Sequence, residues 1–106
     1  MKTRAYAIVR QDISGDSTDE HVERIRELAA ARRLNLRGVL IAQDDARYGL
    51  LLASFSDSRI ETLLLPSVLH VTGWLVAIRC QVEVLTLDPP KRWDRLPGPH
   101  TDATAG

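Results

Sequence analysis

Residues 4–15, RAYAIVRQDISG, constrain the fold of this chain more than any other stretch. The mostly apolar residues 5–9 contain no polar break, and a turn-like DISGDS segment follows shortly after them. An apolar run of this length, followed by a helical pattern, predicts a central strand that is buried on both faces. In an open α/β sheet, ligand-handling side chains lie beyond the carboxyl ends of the strands. We therefore expect Arg10, Asp12 and Ser14 to line a crevice at that edge.

Strand and helix patterns alternate along the chain. Ser17 and Glu20 have the spacing of a capping box, and the residues after them predict an amphipathic helix over residues 18–33. The other predicted elements are three strands at residues 36–42, 60–65 and 82–87, two short helices at 46–55 and 73–79, and loops at 56–58 and 67–72. Strands separated by helices imply parallel pairing. We predict an α/β domain over residues 1–87, with a small, mostly parallel four-stranded sheet in the order 2-1-3-4 flanked by helices.

Residues 88–106 differ in composition from the rest of the chain. They are rich in proline, glycine and small polar residues, which predicts a flexible C-terminal tail. Trp93 and Leu96 are the only large apolar residues in this segment. Such side chains in a polar tail suggest docking on the chain's own surface or on a partner. A solvated Trp93 in a disordered tail is the alternative, and the sequence leaves both open.

The composition limits the class of partner. Fourteen Lys and Arg balance fourteen Asp and Glu, so no net positive charge favours nucleic acid or an anionic membrane. The single cysteine, Cys80, excludes an internal disulfide and suits a reducing cytoplasm. No basic-then-apolar leader is present, and no apolar run approaches the about 20 residues of a membrane span. We expect a cytoplasmic protein that does not bind membranes.

Taken together, these patterns resemble the catalytic domain of serine recombinases, the resolvase and invertase family. The resemblance covers about residues 3–87. It rests on Tyr6 and Arg10 in the first strand, the capped helix, Asp44 followed by RYGL, the LLLPSVLHVTG segment and the final VEVLTL strand. It implies a resolvase-like fold. Independently of the resemblance, the strand order 2-1-3-4 predicts that the loops at residues 10–16 and 66–72 face each other across the switch point between the first and third strands.

In that family, a serine after the first strand attacks a DNA phosphodiester, and several arginines hold the phosphate. Arg10 matches the arginine of the strand, and Arg47 matches an arginine that precedes Gly-Leu. Asp12 occupies the place of the nucleophilic serine. An aspartate and two arginines of a third segment are replaced by Leu69, His70 and Gly73. Because phosphoryl transfer depends on clustered positive charge, the resemblance implies a degenerate, non-catalytic relative.

The charged crevice residues each have two interpretations. Arg10 and Arg47 would together hold an anion, or Arg10 would be neutralised by Asp12 or Asp44, and we favour the ion pair. Asp12, Asp44 and Asp45 would bind magnesium, which prefers hard oxygen ligands, or would shape turns. We favour the turns.

No histidine or serine is assigned as a catalytic residue. His70 would titrate near neutral pH as a switch or lie solvated in its loop, and we expect the solvated side chain. His21, His70 and His100 lack the spacing of metal ligands. Ser17 and Ser67 are expected to cap helices or turns. We predict neither a metal site nor a cofactor.

We therefore predict a non-catalytic, serine-recombinase-like domain that acts as a protein-interaction or regulatory module, through a protein partner or self-association. The alternative is a DNA recombinase or DNA-binding accessory with displaced active-site residues, in which Ser14 is the nearest nucleophile to the Asp12 position. DNA binding is possible in this view but not favoured. A receiver-like domain is disfavoured because residues 1–87 leave no room for five strand–helix units.

Overall fold

The computed structural model describes residues 2–97, which form a mixed, mostly parallel sheet with helices on both faces. The strands are β1 (Arg4–Arg10), β2 (Asn35–Ala42), β3 (Ile60–Leu65), β4 (Glu83–Leu87) and β5 (Pro90–Trp93). The helices are α1 (Gln11–Ser14), α2 (Thr18–Ala31), α3 (Tyr48–Ser58) and α4 (Leu75–Arg79), with 3-10 turns at Gly15–Ser17 and Val68–Val71. Within residues 2–97, no helix has both the length and the apolar character needed to cross a membrane.

The sheet has five strands in the order β2-β1-β3-β4-β5. The first four strands of this order pair in parallel, whereas β5 pairs antiparallel with β4. The prediction of an α/β fold with a mostly parallel sheet is confirmed, but the sheet has one strand more than the predicted four. The added strand lies in the segment predicted to be a tail. The high proline content of this segment predicts a tail rather than a strand. Pro90 is nevertheless the first residue of an edge strand, where a missing N–H is tolerated.

The contacts of Trp93 decide between the two alternatives that the sequence leaves open. Its ring is half-buried against the core, and its indole N–H lies 3.4 Å from the Thr86 hydroxyl. The Lys91 ammonium lies 3.9 Å from the ring centroid, a cation–π contact. Trp93 therefore docks on its own sheet. Residues 98–106 of the predicted tail, including His100, lie outside the described residues.

Strand β1 is the centre of two apolar layers. Ile8 packs with Tyr48 and Phe55 of α3 and with Ile78 of α4 on one face of the sheet. On the other face, small side chains of β1 and Val9 contact α2 through Ile25 and Ala29. Residues 5 and 7–9 have no exposed surface, so the apolar run is buried on both faces as predicted.

Two local predictions are wrong. Ser17 makes no side-chain cap, because it is the last residue of the 3-10 turn Gly15–Ser17 and has near-helical backbone angles (φ −88°, ψ 5°) rather than the extended conformation of an N-cap. Residues 56–58, predicted as a loop, form the last turn of α3. The helix ends at Ser58, and Arg59 after it adopts a left-handed conformation with φ 57°.

Gly38 marks an irregularity in β2. Ala5 pairs with Leu36 while Ala7 pairs with Val39, so β2 contains one extra residue at this point. A Cβ atom added at Gly38 would lie 2.8 Å from Cε2 of the Tyr6 ring. The aromatic ring therefore occupies the space that a side chain at position 38 would need.

We expect Gly38→Ala to destabilise the fold by about 1–3 kcal/mol, because the added methyl group displaces the Tyr6 ring from the core. In a Tyr6→Leu background the same change should cost less, since leucine lacks the clashing ring atoms. Urea unfolding of the two single variants and the double variant measures this coupling. Equal costs of Gly38→Ala in both backgrounds would contradict the proposed contact.

Candidate functional site

The crevice lies where β1 ends against the segment that follows β3. Arg10 is the last residue of β1, and its backbone N–H donates a 2.8 Å hydrogen bond to Nδ1 of His70. His70 belongs to the 3-10 turn Val68–Val71. The two loops that the parallel topology was expected to bring together therefore meet through a backbone-to-side-chain hydrogen bond.

His70 is buried rather than solvated, which corrects the prediction for its loop. Only 1% of its surface is exposed, and its backbone carbonyl accepts a 2.6 Å hydrogen bond from the buried Tyr48 hydroxyl. Burial, assisted by His21 and Arg10, lowers the pKa of His70 to about 4, so the ring is neutral at pH 7. Because Nδ1 accepts a hydrogen bond, the ring proton lies on Nε2. Burial also raises the pKa of Tyr48 to about 12.

The Arg10 guanidinium is bound by Asp12. Its Nε lies 3.0 Å from Oδ1 of Asp12, and its second contact joins Nη2 to Oδ2 at 2.6 Å. This two-point hydrogen bond raises the pKa of Arg10 and lowers that of Asp12, so both groups stay charged. The favoured interpretation, an internal ion pair, is confirmed. The positive charge nearest the end of β1 is neutralised within the chain.

Ser14 contacts a histidine that the sequence analysis did not select for the crevice. Its Oγ lies 2.7 Å from Nδ1 of His21, which belongs to α2. Ser14 itself is buried, with 9% of its surface exposed. In an unbroken helix these two residues would be separated by about 10 Å along the axis. The break at Gly15, where φ is 55°, lets α2 fold back so that the side chains meet.

These contacts form one continuous group of side chains. The rings of His21 and His70 are 6.3 Å apart in an edge-to-face arrangement, which links the Ser14 contact to the end of β1. We call this group the crevice cluster, and its members are Arg10, Asp12, Ser14, His21, Tyr48 and His70. A serine hydrogen-bonded to a histidine is the geometry of an activated nucleophile. The paired arginine beside it offers no free positive charge.

Arg47 does not join the crevice cluster. It is exposed and lines a shallow cavity of about 310 Å³ at the end of β2, together with Ile41 and Asp44. Arg10 is not among the residues that line this cavity. These contacts therefore do not support the alternative interpretation, in which Arg10 and Arg47 hold one anion together.

The remaining aspartates have structural partners. Asp44 accepts a 2.9 Å hydrogen bond from the backbone N–H of Ala46, which fits the turn interpretation. Asp45 accepts a 2.8 Å hydrogen bond from the indole N–H of Trp74.

Ser67 caps its turn as predicted, by accepting a 3.3 Å hydrogen bond from the Leu69 N–H. Among residues 2–97, no group of three or more His, Cys, Asp or Glu side chains is arranged to hold a metal ion.

The fold and the crevice cluster define an α/β domain whose central arginine is paired and whose buried histidine is neutral. Comparisons of this chain with protein-family models, with curated proteins and with solved structures find no match. Among residues 2–97, the crevice cluster is a polar network that includes a contact between Ser14 and His21.

The buried neutral His70 predicts a pH dependence of stability. The pKa of an unfolded histidine is about 6.5, so the unfolded chain binds a proton that the folded chain rejects until about pH 4. The free energy of unfolding should therefore fall by up to about 3 kcal/mol from this residue as the pH drops from 7 to 4. Urea unfolding at each pH measures it.

The matched variant is His70→Asn, whose amide oxygen can accept the hydrogen bond from the Arg10 N–H but does not titrate. Its stability should vary less between pH 7 and 4 than that of the unchanged chain. The ionisation of groups remote from position 70 is common to both proteins and cancels in the comparison. Identical pH profiles would contradict the burial of a neutral His70.

Proposed function

We propose that this chain is a non-catalytic domain related in fold to the catalytic domain of serine recombinases, and that it acts as a protein-interaction or regulatory module. The single observation that carries this proposal is the ion pair between Arg10 and Asp12. Arg10, the arginine expected to hold a DNA phosphate, is bound by Asp12. Asp12 in turn occupies the place of the expected nucleophilic serine.

The energetics of this ion pair oppose phosphate binding. A phosphate would have to replace Asp12 on the Arg10 guanidinium, and the displaced carboxylate would remain beside it as a like charge. Two-point contacts between arginine and a carboxylate are among the stronger hydrogen bonds in proteins. Stabilising a phosphoryl-transfer transition state requires uncommitted positive charge at the reacting group. The crevice instead presents an ion pair with no net charge and an uncharged histidine.

The topology supports relation to the recombinase fold. The four parallel strands follow the order β2-β1-β3-β4, which is the order that the resemblance implies. This strand order also predicts that the segment after β1 faces the segment after β3, and the hydrogen bond from Arg10 to His70 joins the end of β1 to the latter. Leu69 stands at a position where the resemblance implies a polar residue. It is 61% exposed, so this position presents an apolar side chain.

The rim of the crevice favours a protein partner over nucleic acid. Three exposed apolar side chains lie in elements at the carboxyl end of the parallel strands: Ile13, Ile41 and Leu69. Apolar side chains around a neutralised centre suit a protein surface, whereas DNA backbones require basic side chains. The balanced net charge of the chain agrees with this choice.

The contact between Ser14 and His21 favours a second candidate function, that of a DNA-processing enzyme with a displaced nucleophile. A histidine at 2.7 Å would accept the serine proton during attack on a phosphodiester. Against this, Ser14 is nearly buried, and the adjacent Arg10 is occupied by Asp12. The contact is explained equally by the packing of α1 against α2.

A covalent-capture experiment distinguishes the two functions. Incubation of the protein with supercoiled and linear DNA, followed by denaturing electrophoresis, should give no protein–DNA adduct. An adduct that is lost in Ser14→Ala and in His21→Ala would establish the enzyme and overturn the non-catalytic proposal. Thermal melting of both variants verifies that a lost adduct is not caused by unfolding.

Removal of the internal partner of Arg10 should open an anion site. We expect Asp12→Asn to bind short double-stranded DNA at least threefold more tightly than the unchanged chain at low salt, with the gain abolished at high salt. The matched control is Asp44→Asn, which removes the same charge but no partner of Arg10. Fluorescence anisotropy measures the binding. An equal gain in both variants would show that net charge, rather than the freed Arg10, is responsible.

A further inference from the structure

The two edges of the sheet differ in their protection against pairing with another strand. Edge strand β5 has only four residues, begins with a proline and carries Lys91 and Arg92. Lys91 covers the Trp93 ring, and Arg92 forms ion pairs with Glu83 and Asp94. Short length, proline and charge are the features by which edge strands avoid association.

Strand β2, at the other edge, has few of these features. It has eight residues, NLRGVLIA, with a single charged side chain and no proline. Among residues 2–97, no strand pairs with its outer side. Ile41 in this strand is 48% exposed. The extra residue between Leu36 and Val39 is one such feature, but residues 35–36 and 39–42 on either side of it are in regular register with β1, so the edge remains available along the strand.

We propose that the β2 edge binds the β2 edge of a second copy of this chain in antiparallel orientation, which joins the two sheets into one. This inference deepens the proposed function by naming the interaction surface and the partner, and it rests on the interaction-module part of that proposal. Such a contact is isologous, so one surface supplies both sides of the interface. Backbone hydrogen bonds supply affinity in strand addition of this kind.

The charges that flank β2 select both the partner and the orientation. Arg32 and Arg33 precede the strand, and Asp44 and Asp45 follow it. All four are exposed, and Arg47, which also follows the strand, reduces the negative charge of that end without reversing it. In an antiparallel pair of β2 strands, the basic end of each copy meets the acidic end of the other, twice by symmetry. A parallel pair would instead place like charges together, which opposes association.

The side chains of the strand complement this arrangement. Leu36 and Val39 pack with the α2 layer, and Ile41 pairs with Val9, which belongs to the same layer. Antiparallel pairing therefore places apolar side chains of one copy beside apolar side chains of the other on a single face. Cross-strand apolar pairs of this kind stabilise sheets. A second copy thus covers the exposed surface of Ile41.

Sedimentation velocity over a wide concentration range tests the dimer. The unchanged chain should show a concentration-dependent dimer, and Ile41→Lys should raise its dissociation constant at least tenfold, because a buried lysine at the strand edge opposes pairing. The matched control is Leu50→Lys, at an 80% exposed position on α3 away from the edge. Its dissociation constant should stay within twofold. A monomer at every concentration, or equal weakening in both variants, would overturn the inference.

A charge exchange tests the orientation. One variant carries Arg32→Glu and Arg33→Glu, and the other carries Asp44→Lys and Asp45→Lys. Each variant alone should be monomeric, since equal charges meet at both ends of the antiparallel pair. Their mixture should form a heterodimer at least as stable as the original dimer. Dimers of either variant alone, or a mixture that stays monomeric while both variants melt cooperatively, would contradict antiparallel pairing.

The outcomes separate this inference from the function on which it rests. A protein–DNA adduct in the capture experiment would overturn the non-catalytic proposal without affecting the sedimentation result. Loss of the dimer in Ile41→Lys should leave the Arg10–Asp12 ion pair intact, because position 41 is not among its contacts. A monomeric unchanged chain that also forms no adduct would overturn the dimer alone.

Discussion

The hydrogen bond from the Arg10 N–H to Nδ1 of His70 is the contact on which the arrangement of the crevice depends. Strand β1 pairs with β3 only as far as Ala7, so the end of β1 lacks a strand partner on that side. The buried imidazole replaces that partner and satisfies the Arg10 amide. In turn, Tyr48 holds the backbone of His70 from α3. Sheet, helix and loop are thus joined through one neutral histidine.

In a crevice stabilised in this way, the polar side chains are engaged with one another or with the backbone. Among residues 2–97, no buried side-chain nitrogen or oxygen lacks a hydrogen-bond partner. Asp12 binds Arg10, His21 contacts Ser14, and Tyr48 donates to the backbone of His70. A ligand that binds through the same atoms would compete with these internal contacts. In the proposed function, a partner would therefore contact the exposed apolar side chains around this network rather than the network itself.

Local patterns in the sequence predict most of the sheet. Strand β3 has the predicted bounds, and the bounds of β1 and β2 agree with the prediction within one residue. These strands are predictable because an apolar run bounded by polar residues is a local signal that can be read from neighbouring residues alone. Strand β5 could not be predicted in this way. Its pairing depends on the Trp93 ring reaching the core and on contacts with β4, while its composition is that of a loop. Tertiary contacts outweigh local propensity there.

The contacts of the candidate site also differ in how far they could be predicted from the sequence. The ion pair of Arg10 with Asp12 was predictable because the partners are two residues apart, whereas the contact of Arg10 with His70 joins residues sixty positions apart. The contact between Ser14 and His21 is closer in sequence, but it depends on the positive φ at Gly15. A glycine in a turn-like segment permits that conformation without requiring it. Composition therefore identifies residues that can meet, and only the folded backbone determines which of them do.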